Sequence, residues 1–130
     1  MRKNISSGSP WEERVGYSRA VRLGNTIEVS GTVSNIDGKI VGIGDLYAQT
    51  RCILGILQSA LEEAGASMSD VVRTRMYVRD ISQWKEAGRA HGEVFGDIQP
   101  ATTMVEVSRL IEEEFLIEIE ATAVVAASVE

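Results

Sequence analysis

The sequence lacks several features that would assign it to a large class of proteins. It has one cysteine, Cys52, so an intrachain disulfide is impossible and a cytoplasmic location is the simplest expectation. No apolar run approaches the roughly 20 residues that span a bilayer, and the basic start is not followed by the apolar stretch of a secretion signal. We therefore expect no membrane partner.

The chain also carries fewer positively charged than negatively charged residues. Lys and Arg number 13 against 19 Asp and Glu, which gives a formal net charge of −6. Because Lys and Arg carry most of the affinity for phosphate backbones, this balance argues against nucleic acid as a partner. The sequence shows no metal-ligand spacing, no glycine-rich phosphate loop and no alternation of aromatic and basic residues. We expect neither a metal nor a cofactor.

What is present fits one globular domain over residues 1–130. Hydrophobic residues make up 44% of the chain and charged residues 25%, which is ordinary for a folded protein. The length is also that of one domain. Residues 1–16 are polar and rich in Ser and Gly, so we expect an irregular lead-in that Trp11 pins to the body.

Short-range patterns predict a β-hairpin and a turn in the first third of the chain. Residues 20–23 and 26–30 flank Gly24 and Asn25, a pair that suits a tight two-residue turn. A second turn is centred on Asp37 and Gly38. Residues 40–43 are a candidate for a short edge strand.

Two helices are predicted from apolar residues at helical spacing. The first covers residues 45–64, with Asp45 suited to its start and Gly65 to its left-handed end. The second begins at about Ser82 or Gln83 and ends at Phe95, although Gly88 and Gly92 each cost about 1 kcal/mol relative to Ala. The apolar stripes consist of Leu46, Ile53, Ile56, Leu57, Ala60, Leu61 and Ala64 in the first helix, and Trp84, Ala87, His91 and Phe95 in the second.

Alternating residues predict three further strands over residues 71–79, 103–107 and 115–125. In the first of these, Val72, Thr74, Met76 and Val78 share one face. The element order ββ(β)αβαββ then predicts an α+β protein, with a mixed sheet and two helices packed on its apolar face.

The other face of this sheet would be charged. It would carry Arg73, Arg75, Tyr77 and Arg79 on one strand and Glu118 and Glu120 on another, with Glu106 joining from a third if the register allows. One interpretation is a solvent-exposed face whose cross-strand ion pairs are each worth under about 1 kcal/mol. The other is a subunit interface or a wet pocket, and the pattern alone does not separate the two.

Five segments, in order and in register, resemble the Rid family, also called YjgF or endoribonuclease L-PSP. The resemblance extends from about Tyr17 to Val125. The segments are Gly16-Tyr-Ser18, Val29-Ser-Gly31, the run from Val71 to Asp80, the run from Pro100 to Val107, and Leu116-Ile-Glu-Ile-Glu-Ala121.

The resemblance implies a chorismate-mutase-like (YjgF-like) fold and a homotrimer whose sheets line a central barrel, with small-molecule clefts between subunits. It also implies hydrolysis of reactive imines or enamines to a 2-oxo acid and ammonia, without metal or cofactor. Carried over by position, Glu120 would position the attacking water. Tyr17 and Ser30 would lie near the substrate, and Gly31 would add a backbone N–H to an oxyanion site.

One residue of the family's best-known branch does not carry over. That branch has Pro-Ala-Arg where this chain has Pro100-Ala101-Thr102, and a threonine hydroxyl cannot replace a bidentate arginine–carboxylate contact. Such a loss could weaken carboxylate binding about tenfold to a hundredfold. Thr102, Thr103 and Met104 are therefore the candidate residues for the wall of the cleft where the arginine would lie.

Four more residues are open candidates around this wall. His91, the only histidine, is a titratable group that could reach the cleft, although a lone helical histidine is more often structural. Arg19, Arg73 or Arg75 could supply the absent positive charge from another direction.

Three functions remain open at this stage. The leading hypothesis is a small metabolite bound in a cleft, either hydrolysed as an imine, an enamine or a related compound, or only bound. The missing arginine argues against the 2-imino-acid deaminase activity of the best-known branch. The alternatives are endoribonuclease or translation-inhibitor activity, after the family's older name, and a ligand-binding or chaperone-like trimer without turnover.

Overall fold

The structure is a computed structural model that describes residues 1–126. Short 3₁₀ turns cover Met68–Asp70 and Ile81–Gln83. The helices and strands, in chain order, are β1 (Arg2–Ile5), α1 (Pro10–Val15), β2 (Ala20–Leu23), β3 (Thr26–Thr32), β4 (Asn35–Ile36), β5 (Lys39–Ile40), α2 (Leu46–Glu63), β6 (Val71–Val78), α3 (Trp84–Phe95), β7 (Ala101–Glu106) and β8 (Ile117–Val124).

Within residues 1–126, six strands form one mixed sheet in the order β1-β2-β3-β8-β6-β7. Neighbouring strands run antiparallel except for β6 and β7, which are parallel and joined by α3. Helices α2 and α3 contact each other, and α2 packs on β3 and β8. The predicted α+β fold, with helices on the apolar face, is confirmed. The short pair β4–β5 lies outside this sheet.

Helix α2 begins and ends where its sequence predicts. The Asp45 side chain accepts a hydrogen bond from the Ala48 N–H, which satisfies one of the free donors in the first turn. Gly65 follows the last turn with φ +86°, a conformation that costs glycine little. The inner face of α2 is fully or nearly fully buried, with Ile53, Leu57 and Leu61 at 0% exposure.

Local turn chemistry also predicts the first hairpin and the turn that joins β4 to β5. Leu23 pairs with Thr26 across Gly24 and Asn25, and Gly24 has φ +62°. Asp37 and Gly38, both at positive φ, form the tip between β4 and β5. The edge strand expected over residues 40–43 is shorter than predicted, because Gly42 and Gly44 at positive φ take the chain away after Ile40.

The expected irregular lead-in is wrong. Strand β1 pairs with β2, and α1 follows it, so residues 1–16 contain two regular elements. The buried Glu12 carboxylate accepts hydrogen bonds from the Ser6 and Ser7 hydroxyls and the Ser7 N–H, which fixes the connection between these elements. Trp11 does not pin this segment to the body. It is 57% exposed, with the Arg14 guanidinium 5.4 Å from its ring centroid.

Two further apolar residues lie outside the core that was predicted for them. The β6–β8 pairing shifts register between Val71 and Arg73, and Val72 is 47% exposed instead of sharing the buried face of Thr74 and Met76. Trp84 lies on the exposed side of α3, at 51% exposure. No helix among residues 1–126 is long and apolar enough to cross a membrane.

Candidate functional site

Glu120 is held on the sheet face that points away from α2 and α3, which we call the outer face. It lies directly opposite Arg75 on β6, with Arg75 Nε 3.7 Å from its Oε1. The Tyr77 hydroxyl donates a hydrogen bond of 2.8 Å to the same oxygen, and this bond raises the pKa of Tyr77. Because both partners of the ion pair are partly exposed, the pair is worth under about 1 kcal/mol and acts mainly to orient the carboxylate.

A β-bulge faces Glu120 on its other side. Strand β3 pairs with β8 at Val29–Ala121 and again at Thr32–Ile119, so that Ser30 and Gly31 together oppose the single residue Glu120. The Ser30 hydroxyl donates to the Ser18 carbonyl oxygen at 2.6 Å. The structure therefore brings the predicted residues Ser30, Gly31 and Glu120 together.

Glu118 belongs to this neighbourhood, although the sequence reasoning gave it no role. A Cβ built on Gly31 would lie 2.2 Å from Glu118 Oε2, so the carboxylate occupies the space that the glycine leaves open. Burial raises the pKa of Glu118, the nearby Arg19 guanidinium lowers it, and Glu120 raises it further. The two-residue spacing of Glu118 from Glu120 correctly placed both carboxylates on one face, but it did not single out Glu118 as a site residue.

Tyr17 lies next to the bulge. It lines an open groove of about 470 Å³ together with Ser30, Ser18, Arg2 and other residues of β1, α1 and β2. Tyr17 is 38% exposed, and the Arg19 guanidinium lies 5.7 Å from its ring centroid. We call Tyr17, Ser30, Gly31, Glu118 and Glu120 the bulge group.

The three arginines considered as substitutes for the missing one differ in their surroundings. Arg73 Nη2 donates to Thr103 Oγ1 at 2.7 Å, and Arg75 pairs with Glu120. Arg19 Nη2 donates to the Gly31 carbonyl oxygen at 3.1 Å, which places this guanidinium beside the bulge group. Of the three, Arg19 contacts the bulge itself.

The residues expected to line the cleft in place of the arginine lie on both faces of the sheet. Thr102 and Met104 pair with Thr74 and Met76, whose side chains point towards the helices, whereas Thr103 lies on the outer face. Glu106 also lies on the helix side, where its carboxylate accepts from the Ile81 N–H, so it does not join the charged outer face. Thr102 and Thr103 therefore cannot act on one ligand from one direction.

His91 of α3 lies beside Thr102. Its Nε2 is 2.9 Å from Thr74 Oγ1, which is in turn 2.8 Å from Thr102 Oγ1. The imidazole ring packs on Phe95, with 4.7 Å between ring centroids, and burial lowers its pKa. We call Thr102, Met104 and His91 the edge group, because β7 is an edge strand of the sheet.

The bulge group and the edge group do not meet within one chain. Strands β8 and β6 separate β3 from β7, which corresponds to about 14 Å at the usual strand spacing. The side chains of the edge group also point to the opposite face of the sheet. A small ligand therefore cannot contact Ser30 and Thr102 of the same chain at once.

A second cavity lies away from both groups. It has a volume of about 360 Å³ and is lined by Arg79, Arg109, Leu110, Ile111 and Glu113. The sequence reasoning did not single out this loop. Among residues 1–126, no group of three or more His, Cys, Asp or Glu side chains is arranged to hold a metal ion.

These observations define the class of the protein. It has two layers, with two helices packed on one mixed sheet, and a carboxylate on the sheet faces a strand bulge. The family model described as Endoribonuclease L-PSP matches residues 9–125. The chain belongs to this family.

Relatives of known name and structure agree with this assignment. A crystal structure of a member of the YjgF/YER057c/UK114 family from Mycobacterium tuberculosis has a TM-score of 0.88 at 50% identity, covering 96% of this chain and 100% of that one. A RutC family protein from Pyrococcus abyssi is 42% identical over 82% of this chain and 84% of its own length. The 3-aminoacrylate deaminase RutC from Acinetobacter baylyi is 32% identical over 82% of this chain and 85% of its own length.

Proposed function

We propose that this chain forms a homotrimer whose clefts, each built by two neighbouring subunits, bind a small metabolite and hydrolyse its imine or enamine group without a cofactor. Water adds to the carbon of the C=N bond while Glu120 accepts a proton from the water. The nitrogen takes up a proton, and the resulting carbinolamine collapses to a carbonyl compound and ammonia. An enamine enters the same route after it tautomerises to the imine.

The observation that carries this proposal is the placement of Glu120. Its carboxylate is oriented by Tyr77 and Arg75 and lies opposite the Ser30–Gly31 bulge on a partly exposed face. A general base must be held within hydrogen-bonding reach of a water while it remains accessible to one.

Two further observations support the assembly and the substrate class. The separation of the bulge group from the edge group means that a neighbouring subunit could complete the cleft by bringing its own β7 to Glu120. The name of the Acinetobacter baylyi relative, 3-aminoacrylate deaminase, points to an enamine as the kind of compound that a protein of this family can accept. Thr102 in place of arginine argues that the ligand is not gripped by a bidentate contact to a carboxylate.

The test is a measurement of ammonia release from three classes of compound generated in the assay. These are 2-aminoacrylate, 2-imino acids made by an amino-acid oxidase, and uncharged aldimines made by an amine oxidase. We expect the protein to accelerate the hydrolysis of at least one class, and Glu120→Gln to abolish the acceleration. The matched control is Glu28→Gln, which removes an outer-face carboxylate bonded to Thr122.

The same experiment separates the alternatives. Hydrolysis at the uncatalysed rate with all three classes, or full activity in Glu120→Gln, would contradict the proposal. A ligand that raises the melting temperature and is never converted would favour a binding trimer without turnover. Cleavage of RNA by the purified protein would favour the nuclease function that the family's older name describes.

A further inference from the structure

A chain of hydrogen bonds connects the surface of β7 to the buried side of α3. Thr102 is an exposed residue whose hydroxyl is 3.2 Å from the Pro100 carbonyl oxygen and 2.8 Å from Thr74 Oγ1. The Thr74 side chain, at 0% exposure, is in turn 2.9 Å from His91 Nε2. The two links at Thr74 have normal lengths, and the link from Thr102 to Pro100 is longer than usual for an O–H···O bond. The directions of donation that satisfy all three links follow from the inventory of protons.

A threonine hydroxyl has one proton and two lone pairs, and a carbonyl oxygen can only accept. The bond to Pro100 therefore takes the single proton of Thr102. Thr102 must then accept from Thr74, and Thr74, having given its proton to Thr102, must accept from His91. All three bonds form together only when the proton of the neutral imidazole is on Nε2.

We propose that Thr102 offers the cleft a hydrogen-bond acceptor and no donor, so the ligand group that meets it carries N–H, as in a carboxamide or an amine, and is not a carboxylate. The inference rests on the cleft proposed above and defines one end of its ligand. After its bonds to Pro100 and Thr74, Thr102 Oγ1 keeps one free lone pair and no free proton.

This polarity is the reverse of what an arginine would supply at the same position. A guanidinium offers only donors and matches the two oxygens of a carboxylate. A lone pair repels a carboxylate oxygen and accepts from an N–H. We therefore expect a cleft with arginine at this position to prefer a carboxylate and a cleft with threonine to prefer an N–H group. A polar group of the ligand that finds no partner loses its hydrogen bonds to water without replacing them, which weakens binding.

The test compares two compounds that differ only at this end group, pyruvamide and pyruvate, by NMR titration of the intact protein. We expect the wild type to bind pyruvamide about threefold to tenfold more tightly than pyruvate, which is the range of a neutral hydrogen bond. Thr102→Val removes the acceptor and should abolish this preference, whereas Thr102→Ser should keep it. Thr102→Arg should reverse it.

The control variant is Thr26→Val, which changes an exposed strand threonine at the far end of the β2–β3 hairpin and should bind as the wild type does. Equal or tighter binding of pyruvate by the wild type would overturn the inference. So would a Thr102→Val variant with undiminished affinity for pyruvamide, or the absence of binding of either compound up to its solubility limit.

The direction of the hydrogen bonds can be measured independently of any ligand. His91 is the only histidine, so ¹⁵N-labelled histidine gives a single pair of ring nitrogens in a long-range ¹H–¹⁵N spectrum. We expect the pattern of the Nε2–H tautomer in the wild type and its weakening in Thr74→Val. An Nδ1–H tautomer in the wild type would overturn the assigned direction.

Failure of this inference is distinguishable from failure of the proposed hydrolysis. Imine hydrolysis that depends on Glu120, together with tighter binding of pyruvate, would refute the inference on Thr102 and leave the hydrolysis standing. A preference for pyruvamide that Thr102→Val abolishes, without turnover of any imine, would refute the hydrolysis and leave the ligand specificity standing.

Discussion

Gly31 and Glu118 share a space that holds only one of two groups, a side chain on residue 31 or the carboxylate of residue 118. A Cβ on Gly31 would lie 2.2 Å from Glu118 Oε2 and 3.1 Å from Glu118 Cδ. The absence of a side chain at Gly31 therefore determines where the Glu118 carboxylate lies, on the face that also carries Glu120.

Gly31→Ala should therefore displace the Glu118 carboxylate. The displaced group is the end of a flexible side chain, so we expect the free energy of unfolding to fall by about 1 kcal/mol or less. Hydrolysis should also fall, because Glu118 interacts with Glu120 and a change in the position of its carboxylate alters the surroundings of the general base. Thermal unfolding and the ammonia-release assay measure the two effects.

The control for this change is another glycine-to-alanine substitution. Gly55 lies on the exposed side of α2, and apart from its chain neighbours and the backbone of its own helix, no atom among residues 1–126 lies within 4 Å of a Cβ built on it. Gly55→Ala should raise stability by about 0.5–1 kcal/mol through helix propensity and leave hydrolysis unchanged. Full activity in Gly31→Ala would show that the position of Glu118 does not matter to the site.

The raised pKa of Glu118 predicts a dependence of stability on pH. Burial disfavours the charged carboxylate, so the folded protein holds this proton to higher pH than the unfolded chain does. Between the ordinary pKa of 4.5 and the raised one, the folded state binds more protons, and the contribution of Glu118 to stability falls as pH rises. Above that window the charged Glu118 lowers the free energy of unfolding, and Glu118→Gln removes this effect.

Melting temperatures of the wild type and Glu118→Gln, measured from pH 4 to pH 8, check this. The difference between them should favour the variant increasingly as pH rises through the window. The exposed Glu13→Gln is the control for the loss of one negative charge. A difference that stays constant over this range would mean that the carboxyl group titrates normally.

Much of the fold could be predicted because it depends on local chemistry. The caps at Asp45 and Gly65 define α2, and Gly24 and Asn25 define the first hairpin. The part that was wrong depends on contacts distant in sequence. Strand β1 is a strand because β2 offers it a partner, and a polar lead-in does not reveal that pairing.

The candidate site shows the same division. Alternation along β6 and β8 correctly placed Glu120 and Arg75 on one face of the sheet. It could not reveal the shift at Val72, because a bulge is defined by the register of the partner strand. The period of two also places Thr102 and Thr103 on opposite faces, although both were assigned to one wall. The direction of the bonds at Thr102 needed the positions of Thr74 and His91.

Tyr77 should contribute to activity through its bond to Glu120. Tyr77→Phe removes the donor to Glu120 Oε1 and leaves Arg75 as its partner, so we expect turnover to fall about threefold to tenfold with little change in stability. The matched control is Tyr47→Phe, since Tyr47 also donates to a glutamate, Glu93, but on the helical surface. Equal effects of the two variants on turnover would exclude a role for Tyr77 in orienting Glu120.

The single histidine allows the burial of the edge group to be measured directly. Burial lowers the pKa of His91 below its ordinary value of 6.5, so the proton signals of its ring should titrate with a midpoint below that value in the folded protein. Between the two pKa values the unfolded chain binds more protons, and stability is lost as pH falls through that window. The same protein unfolded in urea is the control and should titrate near the ordinary value. A folded midpoint at or above the unfolded one would mean that the imidazole is well solvated or paired with a carboxylate, and the Nε2 bond to Thr74 would then no longer require a neutral ring.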